Sequence, residues 1–151
     1  MNATQSAPYQ HIVDGRSVDA STGETLPMID PSTGAVFAHI AAGTADDIDR
    51  AVRAAQAALD GAWGRTPAAE RGRILQKLGR LIEDNLEDLA WIEARDTGKT
   101  ITVARNDIRV TARYFEYYAG AADKLHGQVI PFLDGYSVSV LREPHGVTGH
   151  I

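Results

Sequence analysis

Residues 96–122 read DTGKTITVARNDIRVTARYFEYYAGAA, and the architecture turns on this stretch. Gly98 is a natural stop for a helix arriving from Leu86, because a glycine takes the left-handed position that closes a last turn. A new helix is predicted from about Ile101 to Ala122. Its apolar residues Ile101, Ala104, Ile108, Ala112, Phe115, Ala119 and Ala122 fall at offsets 0, 3, 7, 11, 14, 18 and 21, close to a 3.6-residue period. Upstream, Asp84 with Glu87 offers a capping box before Leu86, Leu89, Ala90 and Ile92. Before that, Ile74, Leu75, Leu78, Leu81 and Ile82 form a stripe behind Thr66-Pro67, which reads as a cap with proline at the first helical position. A further helix is announced by Thr44 with Asp47 three residues on. Its face of Ile48, Ala51, Val52, Ala55, Ala58 and Leu59 is mostly alanine, which permits close backbone approach.

The first forty residues have a different period. Asp14-Gly15 sits between short β-prone runs at His11–Val13 and Arg16–Val18, the two-residue hairpin signal. Thr25–Ile29 and Ala35–Ala41 read as a second strand pair around Asp30-Pro31-Ser32-Thr33-Gly34. Past Gly127 the β character returns: residues 136–141 alternate polar and apolar, and Val147–Ile151 starts another apolar strand. The chain stops inside that strand, which reads as a piece of a longer protein rather than a short edge strand.

Composition narrows the function. The 151 residues hold 15 basic and 20 acidic side chains, for a net charge of −5, and no cysteine. The acidic balance argues against a nucleic-acid binder. Without cysteine these residues contain no disulfide scaffold, zinc ribbon, iron–sulfur site or thiol nucleophile. Met1–Gln10 has no basic residue and no apolar core, and no apolar run is long enough to span a bilayer. The chain is therefore expected to be soluble and cytoplasmic, with no membrane partner.

No self-sufficient active site is visible. Gly98-Lys99-Thr100 resembles a P-loop tail, but position 93 is Glu93 and the preceding segment is helical, so a helix C-cap is the better reading. The five histidines lack ligand spacing. Arg65, Arg71, Arg73, Lys77 and Arg80 are followed at once by acidic residues, which predicts a salt-bridged surface. Gly146-Val147-Thr148-Gly149 lacks the three-glycine dinucleotide fingerprint.

Taken in order, these segments resemble the N-terminal part of the aldehyde dehydrogenase superfamily. The resemblance runs through the Asp14-Gly15 hairpin, Asp30–Gly34, Asp47 with Ala51-Val52, Trp63, Arg71, Leu75, Leu81-Ile82-Glu83 and Leu89-Ala90. Its most specific pieces are Asp96-Thr97-Gly98-Lys99, Tyr117-Tyr118-Ala119-Gly120, Gly127 and Arg142-Glu143-Pro144 with Gly146-Val147. The betaine-aldehyde-dehydrogenase-like branch is closest in look, although His145 stands where the family more often has an apolar residue.

The resemblance implies an α/β fold. Residues 1–124 would supply hairpins and helices of a cofactor-binding domain, 125–145 an oligomerisation β segment, and 146–151 the first, incomplete strand of a Rossmann-like sheet. It implies an NAD(P)-dependent oxidoreductase turning an aldehyde into a carboxylic acid, with a cysteine nucleophile, glutamate base and oxyanion-hole asparagine that all lie outside 1–151. No catalytic residue is therefore assigned here. By the same resemblance Ile151 lies near the NAD or NADP cofactor. Met28, Ile29 and Asp96 map to a structural Na⁺ or K⁺ site, and Asn106 and Val110 line the aldehyde tunnel. A homodimer or homotetramer is implied for the complete protein, and no nucleic-acid partner. The rival reading is a self-contained, non-enzymatic interaction or subunit-capping protein that uses the alternating strand at 136–141 as its pairing edge.

Overall fold

The computed structural model describes residues 7–150. Strands β1 (His11–Val13) and β2 (Arg16–Val18) form an antiparallel hairpin. Its turn holds Asp14 and Gly15 at φ 52° and 70°, the paired left-handed conformation a two-residue hairpin turn demands. Strands β3 (Thr25–Ile29) and β4 (Val36–Ala41) form a second hairpin, with a register irregularity between Met28 and Ile29. Helices follow: α1 (Ala45–Asp60), a short α2 (Ala62–Arg65), α3 (Ala68–Asp84), α4 (Leu86–Thr97) and α5 (Ile101–Ala121). A third hairpin, β5 (Gln128–Ile130) with β6 (Val138–Val140), closes the order. The result is a mixed helix and strand fold whose named sheets are three antiparallel pairs.

The core is built from the smallest side chains. Helices α3 and α5 meet at buried Gly72 and Gly79 on one side and buried Ala112 with half-buried Ala119 on the other. A Cβ placed on Gly72 would lie 2.6 Å from the Ala119 carbonyl oxygen, and one on Gly79 would lie 3.1 Å from that of Ala112. Backbone therefore rests on backbone, a separation no larger residue permits. Helix α4 also packs on α5, and Ala90 and Ala104 are both fully inaccessible. Among the described residues, no large side chain is fully buried.

The apolar stripes expected on the helices exist, but much of them faces outward. Ile48 and Val52 on α1, and Ile74, Leu78 and Leu81 on α3, are exposed, because small residues rather than the large ones form the seams. The capping box at Thr44 forms as expected. The Thr44 amide donates to Asp47 Oδ2 at 2.9 Å, and the Asp47 amide donates back to Thr44 Oγ1 at 3.4 Å. Asp47 is 4% exposed and also accepts from Ser21 N at 3.1 Å and from Arg50. The Thr44 amide foremost, then Arg50, the Ser21 amide and the Thr44 hydroxyl hold its carboxyl well below the usual carboxylate range, against the opposing effect of burial.

Three expectations are corrected. Pro67 is the cap residue of α3 rather than its first helical residue, and the Thr66 hydroxyl instead donates to the Ala62 carbonyl at 2.9 Å, closing α2. The Asp84–Glu87 capping box does not form. Asn85 separates α3 from α4 and donates to the Leu81 carbonyl at 2.7 Å, while Glu87 is taken by Arg105 of α5 at 2.8–3.0 Å. No strand forms over 147–150, the described part of the apolar run 147–151, because a strand exists only where a neighbour completes its ladder. Past Gly127, where β character was expected, β5 forms and pairs with β6 inside the expected segment 136–141.

Two outcomes follow from this packing. Gly72→Ala lowers stability by about 1–2 kcal/mol in denaturant titrations, although glycine-to-alanine exchange in a free helix gains roughly 1 kcal/mol. Gly79→Ala, whose new methyl has more room, costs less; equal effects would show that the α3–α5 seam is not in contact. Because the native Asp47 carboxyl is depressed, its stabilisation is complete above the ordinary range near pH 4 and is lost as pH falls toward the lowered native value. Thermal melts between pH 6 and 2 should therefore show an acid limb that Asp47→Asn flattens.

Candidate functional site

The C-terminal end of α4 and the turn of the β3–β4 hairpin meet, and this junction carries three of the residues singled out above, Met28, Ile29 and Asp96. Helix α4 ends because Gly98 takes the left-handed conformation, φ 74°, and its amide donates to the Ala94 carbonyl at 2.9 Å. A Cβ on Gly98 would stand 2.7 Å from Pro31 Cγ, so the cap and the turn are in direct contact. Asp30 shapes that turn: Oδ1 accepts from Ser32 N at 2.8 Å, and its carbonyl accepts from Gly34 N at 2.8 Å. Its other carboxylate oxygen lies 3.6 Å from Arg95 Nε, and the Arg95 guanidinium sits 4.5 Å from the Phe37 ring centre.

Met28 and Ile29 occupy the irregular end of β3 just before this turn, and Asp96 lies on the last turn of α4 beside Arg95. Asp96 is exposed, and no ion pair or side-chain hydrogen bond engages it among the described residues. No cluster of three or more His, Cys, Asp or Glu side chains forms among those residues. A cation here would therefore need backbone carbonyls with a single carboxylate, an all-oxygen set suited to a hard ion.

Beside the junction lies an apolar groove of about 550 Å³ lined by Tyr9, Met28, Phe37, Ile40, Trp91 and Arg95, among others. Lys99, expected as a C-cap lysine, pairs with Glu93 of α4 and with Asp107 of α5 at 2.9 Å. The Glu93 carboxylate first, then that of Asp107, raise its ammonium above the ordinary lysine value. This pairing spans the break between the two helices and leaves no phosphate-cradling loop.

Asn106 and Val110, four residues apart, lie on the exposed side of α5, while Ala104 and Ala112 face inward. The structure does not group them with Met28, Ile29 and Asp96. Ile151 lies outside the described residues. Sequence reasoning missed Arg95, Phe37 and the Arg105–Glu87 pair, since each depends on a partner remote in the chain and has no local pattern to announce it. The described residues offer oxygen donors and an apolar wall; they hold no thiol nucleophile.

The aldehyde dehydrogenase family model matches residues 18–151. A mitochondrial aldehyde dehydrogenase of Arabidopsis thaliana, family 2 member B4, is 44% identical over 151 residues, covering 99% of this chain and 28% of its own length. A crystal structure from Burkholderia cenocepacia, assigned provisionally as an aldehyde dehydrogenase, superposes with a TM-score of 0.89 at 54% identity, over 91% of this chain and 29% of that one. The Staphylococcus aureus betaine aldehyde dehydrogenase, solved with NAD⁺, gives 0.79 at 32% identity, over 82% and 25%.

The expected cytoplasmic location is corrected by these likenesses. The Arabidopsis relative and the 44%-identical benzaldehyde dehydrogenase of Antirrhinum majus are both mitochondrial by name. That expectation rested on the composition of ten residues, and a compartment is an address read by receptors rather than a consequence of the fold. No helix among the described residues is long and apolar enough to cross a membrane. The chain spans little more than a quarter of the length of the Arabidopsis and Burkholderia relatives. By the family match over 18–151 and the shared fold, the chain belongs to the aldehyde dehydrogenase family.

Proposed function

We propose that this chain is the N-terminal part of an NAD(P)-dependent enzyme that oxidises an aldehyde to a carboxylic acid through attack by a cysteine thiolate lying outside residues 1–151. The observation that carries the reading is the family match over residues 18–151 in a chain without cysteine. When bound, NAD or NADP supplies the hydride acceptor. The role of residues 1–151 is to support the cofactor domain, with Ile151 beside the cofactor, and to form one wall of the substrate path.

Asn106 and Val110 form that wall. The small-residue face of α5 is spent on α3 and α4, which leaves the opposite side of the helix free for an aldehyde chain. Met28, Ile29 and Asp96 hold a structural Na⁺ or K⁺ through two carbonyls and a carboxylate. The domain division is 1–124, 125–145 and 146–151, with the β5–β6 hairpin in the middle piece joining subunits of a homodimer or homotetramer. Among the described residues that hairpin has an unpaired edge on each strand, which favours pairing with another chain.

Aldehyde-dependent NADH formation, followed by absorbance, tests the reading. The whole gene product should reduce NAD⁺ or NADP⁺ with an aldehyde, and residues 1–151 alone should not; turnover by 1–151 alone would overturn it. Val110→Phe should raise KM for bulky aldehydes by about tenfold while sparing acetaldehyde, because a side chain in the path changes binding by about 1–3 kcal/mol. Equal KM changes for small and bulky aldehydes would remove Val110 from the tunnel.

A further inference from the structure

We propose that Arg95 is a positioning residue that holds the strand end carrying Met28 and Ile29 against the helix end carrying Asp96. The inference rests on the alkali-cation reading of those three residues. Arg95 grips the β3–β4 hairpin twice: through Asp30, the residue after Ile29, at 3.6 Å, and through the face of Phe37 at 4.5 Å. Asp30 cannot swing freely to follow it, because its other oxygen is held by Ser32 N at 2.8 Å. Three residues on, Gly98 lies flush against Pro31. The hairpin turn is thus held at two points on the last turn of α4, and Asp96 lies between them.

The chemistry selects arginine. A guanidinium is planar and always charged, so it can stack on Phe37 while directing N–H groups at Asp30; lysine offers only a compact point charge. Arg95 is 55% exposed, so its ion pair with Asp30 contributes little to overall stability. Its effect falls instead on the relative placement of two backbone carbonyls and one carboxylate. Groups that orient metal ligands from outside the ligand set typically change affinity by about 10- to 100-fold.

The test uses the whole protein as its gene encodes it. Melting temperature and intrinsic tryptophan fluorescence are followed while NaCl or KCl replaces choline chloride at constant ionic strength. Na⁺ or K⁺ should raise the melting temperature of the wild type. Arg95→Gln should melt near the wild type in choline yet need about tenfold more cation for half-maximal stabilisation, and Arg95→Lys should recover part of that loss. If Arg95→Gln lowers the melting temperature equally in every salt with an unchanged cation midpoint, Arg95 is merely structural and the inference falls while the cation reading stands. If the wild type responds to neither Na⁺ nor K⁺ beyond choline, the cation reading fails and takes this inference with it.

Discussion

The contact of α3 with α5 through glycine is the constraint on which the helical part of the structure depends. Gly72 and Gly79 lie seven residues apart on one helix, matching Ala112 and Ala119 on the other. Two helices in such close register lose the freedom to slide, because interiors packed at this density have no slack to absorb a shift. The packing of α4 on α5 then attaches the third helix to the same frame. The resulting core contains little apolar surface per residue, and dispersion between backbones takes the place that large side chains fill in most domains.

This choice of core has a consequence on the outside. Large apolar residues that would ordinarily turn inward remain on the surface, among them Trp91, Leu78, Tyr114 and Tyr117. Residues exposed in this number leave outer faces that are not spent on the core. The free side of α5, with Asn106 and Val110, is one such face.

Electrostatics joins the elements that the seams leave apart. Asp47 ties the start of α1 to Ser21, Lys99 bridges the break between α4 and α5, and the two-pronged Arg105–Glu87 pair locks α5 to the start of α4. Arg95 does the same between α4 and the second hairpin. Each of these links connects segments distant in sequence or across a helix break, where the backbone ladder itself cannot act.

Local signals were legible wherever the backbone imposes a rule on its own residue. Asp14-Gly15 could only be a tight turn, Thr44 with Asp47 a cap, Gly98 a left-handed stop, and the period from Ile101 onward a helix. The ordered motifs likewise carried the family. Where two local readings competed, tertiary structure chose: Glu87 satisfied the spacing of a capping box, yet a guanidinium on α5 binds a carboxylate more strongly than its own helix end does. On α3 the expected stripe of Ile74, Leu75, Leu78, Leu81 and Ile82 is only partly turned inward, because contact with α5 selects the face of Gly72 and Gly79. The strand expected at 147–151 shows the same limit, because apolar residues permit a strand but a partner must complete it. The sequence by itself therefore determined the four long helices, the first two hairpins and the family. Tertiary structure alone decided which surfaces are buried and which charges meet, because burial and pairing belong to two segments at once and neither segment encodes the other.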